Sequence, residues 1–110
     1  MTVNKFQIDR QENGSAIKLH LCGELDLAAA AAFHEALESV VYSADRELTL
    51  DLEKLAYIDS TGIGILVSAV KTRDKLKAPL YVTNIPSKIK RLFDMTGISP
   101  YLNEGVKGGK

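Results

Sequence analysis

Ser60 and Thr61 stand side by side in Asp59-Ser60-Thr61-Gly62-Ile63-Gly64, between the apolar run Leu55 to Ile58 and a stretch of helical periodicity. A serine hydroxyl where a strand gives way to a helix has three chemistries open to it. It can cap the helix, because the first backbone N–H groups have no partner inside it and serine is a leading cap residue. It can accept a phosphoryl group, since the same donors and the helix dipole favour negative charge there. Or it can attack as a nucleophile, which needs a base, an orienting acid and a context such as Gly-x-Ser-x-Gly, and none of these surrounds Ser60. On spacing alone the cap is the plain reading. Capping and phosphoryl acceptance are compatible, because both need an exposed hydroxyl at a helix start.

The neighbours admit similar readings. Gly62 and Gly64 remove side chains that would obstruct the backbone of another protein. As a Gly-x-Gly they are too short for a nucleotide fingerprint, and no lysine follows as in a P-loop. Asp59 shapes the turn, and Asp26 is placed to cap a helix beginning near Leu27. His20 and His34 lie far apart with no Cys/His spacing that suggests a metal, so no metal and no cofactor are expected. Lys88, Lys90 and Arg91 form a local basic patch that reads as a solvated helix face. Cys22 is the single cysteine, which forbids an intrachain disulfide and suits a reducing compartment.

Elements must hold these residues. Phe6 to Asp9 reads as a short edge strand, followed by a turn at Gln11-Glu12-Asn13-Gly14. Ile17, Leu19 and Leu21 alternate with Lys18, His20 and Cys22, which predicts a strand from Ala16 to Cys22 with one buried face. Gly23-Glu24-Leu25-Asp26 breaks that alternation. A helix is expected from Leu27 to Tyr42 on Phe33, Leu37 and Val40, and a strand on Leu48, Leu50 and Leu52. A second helix carries Ile63, Leu66, Val67 and Val70 on one stripe and ends near Lys75. Leu80 to Thr83 reads as a further strand. Pro86 opens a third helix with Ile89, Leu92 and Phe93 inward, and Gly97 ends it.

The 110 residues suit one domain. An apolar fraction of 45% with 25% charged residues matches a globular chain. Fourteen basic residues balance fourteen acidic ones, which argues against a protein built to sit on nucleic acid or anionic lipid. No apolar run is long enough to span a bilayer, and Met1 to Glu12 lack the apolar stretch of a secretory signal, so a cytoplasmic setting is expected. Strands alternating with helices imply an α/β fold, its sheet mixed because the first two strands form a hairpin and packed against α-helices. The domain is expected over residues 1–104, with 105–110, rich in glycine, as a flexible tail.

Taken together, Gly23-Glu24-Leu25-Asp26, Asp59-Ser60-Thr61-Gly62-Ile63-Gly64 and Lys90-Arg91-Leu92-Phe93-Asp94 with Thr96-Gly97 resemble the anti-sigma factor antagonists of the STAS domain family. The resemblance runs in order over nearly the whole chain. It implies a binding protein and not an enzyme. Unphosphorylated, such a protein binds an anti-sigma factor that is itself a serine kinase, and so frees the sigma factor. The kinase phosphorylates the serine and the complex parts, until a protein serine phosphatase restores the hydroxyl. Carried onto this chain, the phospho-acceptor is Ser60, the partner-binding surface comprises Asp26, Asp59, Ser60, Thr61, Gly62, Ile63 and Gly64, the ATP belongs to the kinase, and the free protein is a monomer. Two alternatives stay open: a STAS subunit of another assembly, such as a lipid-transport complex or a stress-signalling scaffold, and a small hydrolase using Ser60.

Overall fold

The computed structural model describes residues 5–98 and the backbone of residues 103–104; the expected tail at 105–110 lies outside the described residues. Five strands form one sheet in the order β1-β2-β3-β4-β5: β1 (Gln7–Glu12), β2 (Ala16–Leu25), β3 (Glu47–Ile58), β4 (Leu80–Thr83) and β5 (Asn103–Glu104). The β1–β2 hairpin is antiparallel and every later pairing is parallel, which makes the sheet mixed as expected. Helices α1 (Leu27–Glu38), α2 (Ser60–Lys75) and α3 (Ser87–Thr96) fill the three crossovers.

Alternation decides which face is covered. Ile17 is the register partner of Leu48 and Leu19 that of Leu50, so inward leucines and isoleucines line up across the parallel pair. They join Phe33, Leu37, Leu66, Ile89 and Phe93 of the helices in one aliphatic core. The opposite face carries Lys18, His20 and Asp51. There Asp51, although buried, accepts from the Glu53 N–H at 2.9 Å and from Asn84 Nδ2 at 3.3 Å, with His20 Nδ1 at 3.3 Å.

Several boundaries differ from those expected. β1 begins and ends later than Phe6 to Asp9, and its turn narrows accordingly: Asn13 Oδ1 accepts from the N–H groups of Ser15 and Ala16. β2 does not stop at Cys22 but continues to Leu25. Two register shifts against β3 and a positive φ of 87° at Gly23 absorb the broken alternation without ending the pairing. α1 ends at Glu38 and not at Tyr42; Val40 and Val41 are buried from the turns that follow. Leu55 to Ile58 is the second half of β3, continuous with the first. β4 has the expected bounds. Pro86 is the N-cap of α3 and contributes no side-chain bond, Leu92 is partly exposed, and Gly97 closes the helix in the left-handed region at φ 80°.

Candidate functional site

The site follows from one register. Leu25 and Ile58 are partners at the ends of parallel strands, and Asp59 N–H donates to the Leu25 carbonyl at 3.2 Å. The two helices that follow therefore both start at the C-terminal ends of β2 and β3. Each is capped by aspartate. Asp26 Oδ1 accepts from the Ala29 N–H at 3.1 Å, while Asp59 Oδ1 accepts from those of Thr61 at 3.0 Å and Gly62 at 3.1 Å. Both caps have extended backbone, as a residue half outside a helix should.

This corrects the reading of Ser60 as a cap. Asp59 does the capping, and Ser60 is the first residue within α2, exposed, its hydroxyl without a hydrogen bond among the described residues. Two oxygen-bearing residues adjoin at this boundary, and the one ending in extended backbone takes the N–H groups. Asp59 does more than shape a turn, and Ser60 is left with no structural duty.

The other expected contact residues divide by orientation. Thr61 and Gly64 are exposed beside Ser60, and Asp26 and Asp59 are half-buried at the strand ends. Gly62 and Ile63 are buried. A Cβ built on Gly62 would lie 2.8 Å from Leu25 Cγ and 2.9 Å from Ile58 Cγ1. Its missing side chain lets α2 close on the strand ends; it opens nothing to solvent. A Cβ built on Gly64 meets nothing within 4 Å.

Two helix starts supply about half a positive charge each, against two full carboxylates, so the patch is net negative by about one charge. Neither first turn contains a further acidic residue. Among the described residues no histidine is placed beside Ser60. His34 lies 3.7 Å from Glu38 on α1. His20 does face a carboxylate, Asp51, but this pair sits mid-sheet, more than about 20 Å along β3 from Ser60 at 3.3 Å per residue. Among the described residues no group of three or more His, Cys, Asp or Glu side chains is placed to hold a metal ion, and no helix is long and apolar enough to cross a membrane.

Sequence reasoning missed Arg73 altogether. It is 1% exposed, and its guanidinium donates to the carbonyls of Val41, Ser43, Arg46 and Pro79 at 2.6 to 3.3 Å. Burial pushes its pKa down from the usual value. The sequence signal was position: Arg73 stands four residues after Ala69 and seven after Leu66, on the buried stripe of α2, although a cation on a helix normally reads as solvated.

The α/β domain thus presents two aspartate-capped helix starts and an exposed serine at the ends of β2 and β3. The chain belongs to the STAS domain family: the family described as "Mlab, STAS domain" matches residues 8–102. It is similar to the anti-sigma-B factor antagonist of Staphylococcus aureus, 32% identical over 87 residues, which cover 77% of this chain and 81% of that protein. The anti-sigma-B factor antagonist of Bacillus subtilis is 29% identical over 102 residues, 93% of each chain. Among solved structures, an anti-sigma factor antagonist from Mycobacterium paratuberculosis superposes with a TM-score of 0.82 at 19% identity, covering 94% of this chain and 88% of the other. The antagonist SpoIIAA in its unphosphorylated form gives 0.74 at 17% identity over 94% and 90%, and its phosphorylated form gives 0.70. At these identities the structures establish the fold.

Proposed function

We propose that this protein is an anti-sigma factor antagonist that binds its anti-sigma factor, a serine kinase, only while Ser60 is unphosphorylated. The observation that carries the reading is the idle hydroxyl: Ser60 is exposed at the start of α2 while Asp59 holds the helix end. The similarity to anti-sigma-B factor antagonists supports it, as does the likeness to SpoIIAA, solved in both a phosphorylated and an unphosphorylated form. The protein acts by binding and catalyses nothing. A protein serine phosphatase resets Ser60, the setting is cytoplasmic, and the free protein is a monomer.

The gate is electrostatic. A phosphate adds about −1.5 to −2 charges at neutral pH to a patch already net negative. Removing that dianion from water at an interface, beside two carboxylates, costs several kcal/mol, a thousandfold or more in affinity. No rearrangement of the fold is required, because Asp59 and the Gly62 contact hold α2 whatever Ser60 carries.

The test is calorimetry of three variants against the purified anti-sigma factor, with mass spectrometry after incubation with ATP. Ser60→Ala should bind and take no phosphate. Ser60→Asp should bind much more weakly, and Thr61→Ala should still be phosphorylated. Tight binding by Ser60→Asp would show that charge is not the gate, and phosphate found on Thr61 alone would move the site. Co-purification with a membrane transporter ATPase in place of a kinase would favour the lipid-transport alternative.

A further inference from the structure

The register that brings Asp26 beside Asp59 also brings Leu27 beside Ser60. Leu25 and Ile58 are partners, so the residues after them climb in step, and Leu27 is the first residue of α1 as Ser60 is the first of α2. Leu27 is nevertheless 73% exposed. Nothing in the fold asks for an apolar residue there: the core side of α1 is built from Ala30, Phe33 and Leu37, and a helix start favours acidic side chains over leucine. On the other side, Tyr57 precedes Ser60 by three residues and is 47% exposed. An exposed leucine thus stands at the start of the neighbouring helix, and a half-exposed tyrosine three residues before a hydroxyl that has no hydrogen bond among the described residues. Tyrosine is among the residues enriched at interface hot spots, and an apolar side chain left in water beside a polar centre gains by being covered there.

We infer that Leu27 is the apolar anchor of the Ser60 interface and fits an apolar pocket on the anti-sigma factor, with Tyr57 at its rim. The inference rests on the antagonist reading of Ser60 and deepens it. It also explains why one phosphate suffices as a gate. A dianion adjacent to a seated leucine is held against apolar surface, where it cannot keep its hydration, whereas at a wet polar contact it could. The anchor makes the gate steep.

Calorimetry of Leu27→Ala, Ser60→Asp and Met95→Ala against the purified anti-sigma factor separates the two ideas. Met95, 76% exposed on α3, is the control for loss of an equally prominent apolar group away from both aspartate caps. Leu27→Ala should raise Kd by about tenfold or more, as loss of an anchor does, while Met95→Ala stays within about twofold. Phosphorylation kinetics should agree: Leu27→Ala should raise KM for the protein substrate and leave kcat unchanged, the mark of lost binding. A Leu27→Ala Kd within twofold of wild type, with Ser60→Asp weak, overturns the anchor and leaves the antagonist reading standing. Equal losses in Leu27→Ala and Met95→Ala also overturn it. If Ser60→Asp binds like wild type, the antagonist reading itself fails, whatever Leu27 does.

Discussion

At the scale of single residues the site depends on which of two adjoining oxygens does structural work. Among the described residues Asp59 Oδ1 receives two N–H groups and Ser60 Oγ receives none, so the costs of losing them should differ. Asp59→Ala should lower stability by about 1 kcal/mol, the usual value of a lost cap. Ser60→Ala should stay within about 0.5 kcal/mol of wild type, as at other surface positions with no structural role. Chemical denaturation of the two variants decides between them; equal losses would return the cap to Ser60. The sequence alone showed an acid and a hydroxyl at a helix boundary, both good caps. The choice between them depends on a one-residue difference in where extended backbone ends, which composition does not encode.

At the scale of elements, the start of α2 is held by a close approach. Gly62→Ala places a methyl group under 3 Å from Leu25 and Ile58 side chains and should cost about 1 to 3 kcal/mol through overpacking. Gly64→Ala, with open space around it, should instead stabilise by about 0.5 to 1 kcal/mol, the ordinary gain of alanine over glycine in a helix. Thermal melts of the pair would show opposite signs; the same sign in both would mean that α2 does not close on the strand ends as described. Elements were legible where periodicity and a stop signal coincided. Leu48, Leu50 and Leu52 announced β3, Asp26 announced α1, and Gly97 the end of α3. The extension of β2 to Leu25 was not, because a bulged strand with a glycine at positive φ looks like a broken one. The end of α1 at Glu38 carried no glycine or proline to mark it, and two-residue β5 left no pattern long enough to read.

At the scale of the whole molecule, Arg73 ties the end of α2 to the segment after α1 and to the entry of β4. Its four carbonyl acceptors come from Val41, Ser43, Arg46 and Pro79. Arg73→Met removes all of those donors at once and should destabilise by more than about 3 kcal/mol, with no change in charge at the Ser60 site. A denaturation midpoint near that of wild type would mean that water replaces the guanidinium without loss. A second tie is exposed: Glu12 receives Arg10 and Arg46, each at 2.7 Å, and these bonds, Arg10 first, hold its carboxyl below the usual range. A carboxyl lowered in the folded state adds stability above its unfolded pKa, near 4.3, and loses it as pH falls through the folded value. Glu12→Gln should therefore lower stability slightly at neutral pH and converge with wild type in acid, which flattens the acid limb; the effect is small, since exposed pairs count for little. Thermal melts from pH 7 to pH 3 would show it; identical acid limbs would remove Glu12 from the account.

Because Asp59, and not the hydroxyl beside it, holds the helix, marked and unmarked molecules should unfold equally rarely. Proteases that sample transiently opened chains would then see both forms alike, since degradation follows the population of the open state. The two forms would share one lifetime in the cell. Their ratio would be set by the enzymes that add and remove the mark, and the same copy could be used over many rounds of signalling without being worn out by them.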